Sequence, residues 1–255
     1  MSLEQYKSKI VNLTSAARLN GASTNFNLSI PPNSREFNNV VGIQMVSASI
    51  PNTFYNITQQ NNFFQYRFGP LNTIGTVLVA EGQYELTDLL TEISSQMTTD
   101  SSSNVSWTLN SVDYKVLFES DNESFAFYTD DETLVPLLIS LGFPKSLVPY
   151  GPGNSISATH IVNVSGPSTV FIVSRSLTGA TSDYSELTNI IRCIPLDVNF
   201  GSIVHYKIGD SESAVIKFTN ARSLTNIDLK LVNRNNQVLS LGGLDWDLLI
   251  KVYYL

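Results

Sequence analysis

The sequence predicts a mainly β protein, a sandwich or a barrel, that carries a small α+β insertion. Three observations support this fold class. Short runs of alternating apolar and polar residues occur before residue 81 and again after residue 168. The runs follow one another at a spacing of about 8–12 residues and are separated by Gly, Pro, Asn and Ser. Between them, residues 81–143 place apolar side chains at helical spacing.

The N-terminal part is expected to form an arm followed by four strands. Residues 1–24 make up the arm, whose composition allows at most a short helix over Leu3–Ile10. The predicted strands are Phe26–Ile30, Val40–Ile50, Phe63–Phe68 and Thr76–Ala80. Strict alternation in the second strand would place on one face Val41, Ile43, Met45 and Ser47.

The insertion, residues 81–143, is predicted to contain a helix, a three-stranded meander and a second helix. Thr87 is the expected N-cap of the first helix, whose apolar residues are Leu89, Leu90, Ile93 and Met97. The meander strands are Val105–Leu109, Tyr114–Phe118 and Phe125–Tyr128. The second helix opens with residues 130–133, and Gly142 closes it after Leu134, Leu137, Leu138 and Leu141.

The C-terminal part is expected to return to strands after a connection rich in Pro, Gly and Ser at 144–168. The predicted strands are Thr169–Ser174, Asn189–Pro195, Gly201–Lys207, Ala214–Thr219, Asn226–Val232 and Trp246–Leu255. In the last strand, one buried face would hold Leu244, Trp246, Leu248, Ile250, Val252 and Tyr254. The domain prediction is therefore an arm at 1–24, a β domain from 25–80 and 144–255, and the insertion at 81–143.

Composition excludes several classes of protein. Of the 255 residues, 42% are apolar and only 15% are charged, which excludes a highly charged disordered chain and a long coiled coil. The formal net charge of −7 disfavours nucleic-acid binding and adsorption to anionic membranes, because phosphate is repelled. No apolar run is long enough for a signal peptide or a membrane helix. With one cysteine, we expect a soluble protein made in a reducing compartment.

Catalytic and metal-binding patterns are sparse. The only two histidines, His160 and His205, are forty-five residues apart, so a closely spaced two-histidine metal site is absent. The sequence contains no nucleophile-elbow motif and no glycine-rich phosphate loop. Cys193 lies in an apolar strand pattern, so we expect a buried, inert thiol.

Two acidic clusters each allow a chemical and a structural interpretation. Asp245 and Asp247 flank Trp246 and could form the carboxylate pair of a glycosidase. The favoured interpretation is that Gly242-Gly243 turns the chain, Asp245 caps this turn and Trp246 enters the core. Residues 130–132 could bind Ca²⁺, but EF-hand spacing is missing and charges at a helix start are favoured. We therefore predict no enzyme activity and no catalytic, cofactor or metal site.

Four segments carry a resemblance to a known family. They are REFNNVVGIQMVSASIPNTFYNI at 35–57, EGQYELTDLLTEISSQM at 81–97, LLISLGF at 137–143 and DLKLVNRNNQVLSLGGLDWDLLIKV at 228–252. Together and in this order, they resemble the penton, or minor capsid, protein of virophages and Polinton-type viruses. Those viruses belong to the lineage with double jelly-roll major capsid proteins.

The resemblance implies a fold, an assembly and a location. The fold would be a single jelly-roll β-sandwich, with residues 81–143 as an elaboration at one end. Five copies would form a homopentamer at each icosahedral five-fold vertex, in contact with trimers of the major capsid protein. The protein would be part of the virion and would be assembled inside the host cell. The family implies no enzyme activity, no cofactor, no nucleic-acid partner and no membrane insertion.

Two other functions remain open at this point. One is a virion spike or lectin-like jelly roll that binds a host receptor or glycan, for which the loops at 59–63 and 145–159 are the places to look. An exposed aromatic side chain beside carboxylates and amides would favour it. The other is a β-sandwich hydrolase, whose only candidate acid–base pair is Asp245 with Asp247.

Overall fold

A computed structural model of the chain describes residues 5–101, 103–121, 124–127, 134–143, 149–150, 155–178, 189–209 and 215–255. The chain folds into two compact units, one built from Met1–Phe54 with Pro167–Leu255 and one built from Tyr55–Gly166.

The described residues contain the following elements in chain order. They are β1 (Lys7–Thr14), β2 (Asn20–Ala22), β3 (Asn25–Ser29), β4 (Val40–Pro51), β5 (Phe63–Phe68), β6 (Thr73–Leu78), α1 (Leu86–Ser101), β7 (Val105–Asn110), β8 (Lys115–Ser120), β9 (Phe125–Phe127), α2 (Pro136–Ser140), β10 (Pro149–Tyr150), β11 (Ser155–Ser157), β12 (Thr169–Val173), α3 (Arg175–Thr178), β13 (Ile190–Pro195), β14 (Ile203–Lys207), β15 (Val215–Arg222), β16 (Asn226–Val232) and β17 (Asp247–Tyr254).

The first unit is a jelly-roll β-sandwich. Its first sheet has the order β1-β17-β4-β14, and β15 pairs with the half of β4 that β14 leaves open. Its second sheet has the order β13-β12-β16-β3-β2, and all pairs in both sheets are antiparallel. We count β14 and β15 as one strand, because both pair with β4, and leave out the short edge strand β2. The eight strands that remain, numbered from 1 to 8 along the chain, then lie in the order 1-8-3-6 in the first sheet and 2-7-4-5 in the second. This nesting of two Greek keys confirms the predicted fold class.

Alternating apolar residues of both sheets form the core of the first unit. In β17, the fully buried residues are Leu248, Ile250 and Val252, and β16 contributes Ile227, Leu229 and Leu231. Burying each such side chain stabilises the fold by about 1.5–3 kcal/mol. Trp246 is also buried, as the sequence predicts, whereas Leu244 is 49% exposed in the turn that precedes β17. The predicted apolar face therefore begins at Trp246.

Two β-bulges in β4 change the predicted alternation of that strand. The register against β17 shifts between Leu249 and Ile250 and again between Tyr253 and Tyr254. As a result, Ile43 and Met45 face the core, but Ser47 does not follow them, and the next core residues are Ala48 and Ile50. Each extra residue of a bulge moves the following side chains to the other face.

The N-terminal arm is a correction to the sequence prediction. Residues 7–14 form β1, which pairs with β17 along its whole length, so Lys7–Ile10 are a strand where the sequence allowed a short helix. The pairing covers an edge of β17 that would otherwise expose unpaired backbone groups. Lys9 Nζ also binds Glu36 Oε1 at 2.7 Å, which fastens the strand to the turn before β4.

The second unit extends beyond the predicted insertion. It has one sheet of order β10-β9-β5-β6, a second of order β11-β8-β7, and helices α1 and α2. The predicted meander is wrong, because β9 pairs with β5 and not with β8. Strands β5 and β6, predicted for the jelly roll, belong here because Phe64 and Tyr66 enter the aromatic core of this unit. The unit thus spans 55–166 where the sequence predicted 81–143.

The two predicted helices of this unit are present with shifted ends. Helix α1 buries the predicted set Leu89, Leu90, Ile93 and Met97. Thr87 lies inside its first turn and is not the N-cap, because the Glu85 carbonyl already accepts from Leu89 N. Gly142 ends α2 with a φ of +88°, as predicted. Residues 130–133, the predicted start of this helix, lie outside the described residues, and so do residues 144–148 and 151–154 of the predicted connection at 144–168.

Among the described helices, none combines the length and the hydropathy needed to cross a membrane.

Candidate functional site: a polar groove and two lateral edges

The outer face of the second jelly-roll sheet carries an open groove of about 650 Å³. Strands β3, β16 and β12 supply its floor, and α3, Asn189 and Asn236 border it. Strand alternation explains the polar floor, because Phe26 and Leu229 point into the core while the side chains between core positions point outward. Apart from Val173, the described residues that line the groove have polar side chains.

Asp228 organises one end of the groove by capping α3 from the neighbouring strand β16. Its Oδ1 accepts the backbone N–H of Ser176 at 2.7 Å, and its Oδ2 accepts that of Arg175 at 3.0 Å. In return, Ser176 Oγ accepts the backbone N–H of Asp228 at 3.1 Å. These bonds satisfy the free donors at the start of α3 and fix its position on the sheet.

The pKa of Asp228 lies below its ordinary value of 3.8. Burial alone would raise it, but the hydrogen bonds from Ser176 and Arg175 outweigh burial because they favour the ionised carboxylate. Asp228 is therefore a fixed anion whose oxygens are already occupied by backbone and hydroxyl donors.

Two cations, Arg175 and Lys230, line the same groove and are exposed. Neither forms a salt bridge within the part of the chain that the structure describes. A third cation, Arg222, lies behind α3 and supports it. Its guanidinium donates to the Ser176 carbonyl at 2.6 Å and lies 3.6 Å from the centre of the Phe218 ring, and burial lowers its pKa.

Four Asn side chains complete the groove: Asn25, Asn27, Asn189 and Asn236. Asn27 donates to Asn20 Oδ1 at 3.0 Å, and Asn189 Oδ1 accepts from Thr178 Oγ1 at 3.0 Å. An amide both donates and accepts hydrogen bonds. The described lining residues therefore offer two cations and a set of amides, and none of them is aromatic.

The sandwich also has two lateral sides, where strands lie at the ends of the sheets. On one side, residues 15–19 connect β1 to β2, and Ile10 and Leu19 are 57% and 66% exposed. On the other side, Arg192 Nε of β13 donates to Tyr206 Oη of β14 at 2.8 Å. Ile203 on β14 is 50% exposed at this second side.

The acidic pair near Trp246 is divided between two structural contacts. Asp245 Oδ1 accepts from Ser15 Oγ at 2.7 Å and from Arg18 at 2.8 Å, while Asp247 Oδ1 accepts from Asn12 at 3.4 Å. Asp245 does not cap the glycine turn as predicted, since the Ser240 hydroxyl accepts from Gly242 N there. Both carboxylates instead fasten the N-terminal segment to the start of β17.

The predicted buried thiol is wrong, because Cys193 is exposed. Ile194 takes the core position of β13, so alternation turns its neighbour Cys193 outward. His205, on β14, contacts Ser49 Oγ through Nδ1 at 3.2 Å, as expected for a histidine on a sheet. His160 is exposed in the second unit. Within the described residues, no three His, Cys, Asp or Glu side chains cluster as metal ligands.

The loop at 59–63 uses its amides internally. Asn61 Oδ1 accepts from Thr58 N at 2.8 Å, and its Nδ2 donates to the Asn56 carbonyl at 2.9 Å. Asn62 is buried and donates to the Val79 carbonyl, and Phe63 is half-buried in β5. Of the second predicted loop, residues 145–148 and 151–154 lie outside the described residues.

Sequence reasoning missed the groove. Its floor residues lie between core residues in the runs NFNLS and NIDLKLV, so their outward direction could be inferred from alternation. The pairing of β3 with β16, which brings the two runs together, joins residues about two hundred positions apart and has no local signal.

The fold is similar to the crystal structure of a mavirus penton protein, with a TM-score of 0.51 and 10% sequence identity. The similarity covers 98% of this chain and 100% of the mavirus chain. No curated protein matches the sequence. A family profile described as "Family of unknown function (DUF5901)" matches residues 28–238, and the chain therefore belongs to this family.

Proposed function

We propose that this protein is a structural subunit of a virus capsid, and specifically the penton that closes the five-fold vertices. One observation carries the proposal: the similarity to the mavirus penton protein spans both chains almost completely. It therefore includes the second unit as well as the jelly roll, which many unrelated proteins share.

A pentamer requires a ring of identical, heterologous contacts, in which one side of each subunit meets a different side of the next. The jelly roll has two such unlike sides. We propose that the side with Ile10 and Leu19 packs against the side with Ile203 and Cys193 of the neighbouring subunit. Exposed apolar residues on both sides would be buried by this contact, which stabilises it.

Further features of the proposal follow from a vertex position. The partners are four further copies of the chain and the surrounding trimers of the major capsid protein. The protein is located in the virion and is assembled inside the host cell. It has no catalytic role, and the contacts of Asp245 and Asp247 with the N-terminal segment support this part of the proposal.

The mass of the purified protein in solution tests the proposal directly. We expect a species of five times 28.1 kDa by light scattering or native mass spectrometry. A stable trimer would overturn the penton proposal and favour a virion spike. A monomer that stays monomeric at high concentration, and that does not join the vertices of shells formed by the major capsid protein, would also overturn it.

A further inference from the structure

We infer that the polar groove between β3, β16 and α3 binds an anionic saccharide, a polyhydroxylated ligand that carries a carboxylate or a sulfate. The site does not need a second subunit, because every described residue that lines the groove belongs to one jelly roll. It is also additional to a structural role in a capsid.

The charge distribution favours an anionic ligand. The whole chain has a net charge of −7, yet Arg175 and Lys230 line one groove without a salt bridge in the described residues. Asp228, the one carboxylate among the described lining residues, is already occupied by the N–H groups of Arg175 and Ser176. Among the described residues neither cation therefore has an ionic partner, and each can form charge-assisted hydrogen bonds with a ligand.

The amides favour a ligand with many hydroxyl groups. Asn25 and Asn236 are exposed at the groove, and each can donate to one hydroxyl and accept from another. A volume of about 650 Å³ suits a short oligosaccharide. Val173 is the only apolar side chain among the described lining residues, so a peptide would find little surface there on which to bury apolar side chains.

The backbone that carries Arg175 is fixed on the sheet. Asp228 and Ser176 fix α3 to β16 through reciprocal hydrogen bonds, and Arg222 holds the Ser176 carbonyl from behind. A preorganised site loses less conformational entropy when a ligand binds.

Direct binding of defined saccharides to the intact protein tests the inference. The probes are sialyllactose, which carries a carboxylate, a sulfated heparin tetrasaccharide, and neutral lactose, and binding is measured by calorimetry or by NMR shifts. We expect at least one anionic probe to bind and lactose to bind much more weakly. Replacing both cations (Arg175→Ala with Lys230→Ala) should weaken binding by about tenfold or more.

Two control variants make the result specific. Lys207→Ala with Lys217→Ala removes the same charge from exposed positions of the other sheet and should change binding less than about twofold. Asn25→Trp fills the groove without changing its charge and should abolish binding.

Equal losses of binding in both double variants would reveal non-specific attraction and overturn the inference. The inference would also be overturned if none of the saccharides bound. Binding of hexaglutamate instead of the saccharides would overturn it as well, because that result would indicate an acidic peptide as the ligand.

Discussion

Trp246 donates its indole Nε1 hydrogen to the carbonyl oxygen of Ser23 at 2.8 Å. The Trp246 ring is buried and meets Phe26 edge-on, with 6.0 Å between the ring centroids. Its backbone N–H also donates to the buried Ser15 hydroxyl at 3.0 Å. One side chain thus connects the last strand of the jelly roll to the N-terminal segment, which explains why a large aromatic residue stands at this position.

Replacing Trp246 with Ala should destabilise the protein severely. The change removes a large core side chain, which costs about 3–5 kcal/mol. It also leaves the buried Ser23 carbonyl without its donor. Since domains are stable by only about 5–15 kcal/mol, we expect aggregation or a strongly lowered urea midpoint.

The matched control is the double variant Asp245→Asn with Asp247→Asn. Both carboxylates make partly exposed contacts, so each loss should cost no more than about 1 kcal/mol, and the protein should remain folded. A stable Trp246→Ala protein would contradict this account of the core. A folded double variant that loses a measurable activity would revive the hydrolase hypothesis.

Asp228→Asn should destabilise the jelly roll at neutral pH and have less effect in acid. An amide can accept only one of the two backbone N–H groups that Asp228 binds, and an unsatisfied donor costs about 1–3 kcal/mol. Because the pKa of Asp228 in the folded protein lies below 3.8, its stabilising effect is complete above that pH. The effect is lost as the pH falls below 3.8 and the carboxylate is protonated.

Urea unfolding of both proteins between pH 7 and pH 2.5 measures this difference. The difference in the free energy of unfolding between the original protein and the Asp228→Asn variant should become smaller only below about pH 3.8. Asp197→Asn, at an exposed carboxylate, serves as the control and should change stability little. A gap of constant size down to pH 2.5 would show that Asp228 does not act as an anionic cap.

The sequence predicts individual elements well and their long-range pairing poorly. The buried face of α1 and the strands β5 and β16 follow from local periodicity, and they occur where predicted. Whether β9 pairs with β8 or with β5 depends on which aromatic side chains pack together, and no local pattern contains that information. The prediction of a buried thiol at Cys193 failed for a related reason, since only the sheet order shows which residue of β13 faces the core.

Deletion variants should distinguish the predicted insertion from the observed second unit. Removing residues 56–165 and joining the ends with a Gly/Ser linker takes away all of the aromatic core around Phe64 and Trp107. We expect a soluble, β-rich jelly roll. Removing only 81–143 leaves β5 and β6 without β9 and α1, and exposes Phe64 and Tyr66. We expect that protein to aggregate.

Circular dichroism and solubility decide between these outcomes. If the shorter deletion gives a folded protein and the longer one does not, the boundary at 81–143 is the correct one. If both deletions fail, the second unit is required for the jelly roll to fold.

The single cysteine reports on the proposed ring contact. Cys193 is exposed on β13, so its thiol should react readily with a maleimide in the isolated subunit. In the pentamer, the neighbouring subunit would cover this side, and the reaction should slow strongly.

Ile203→Asp should restore the fast reaction, because burying an unpaired charge in the contact weakens assembly by about tenfold or more. Ile203 is half-exposed in the subunit, so the variant itself should still fold. Leu71→Asp, at a residue of the second unit that is 88% exposed, is the matched control and should leave the assembly intact. A pentamer in which Cys193 reacts as fast as in the monomeric variant would place the ring contact on another surface of the protein.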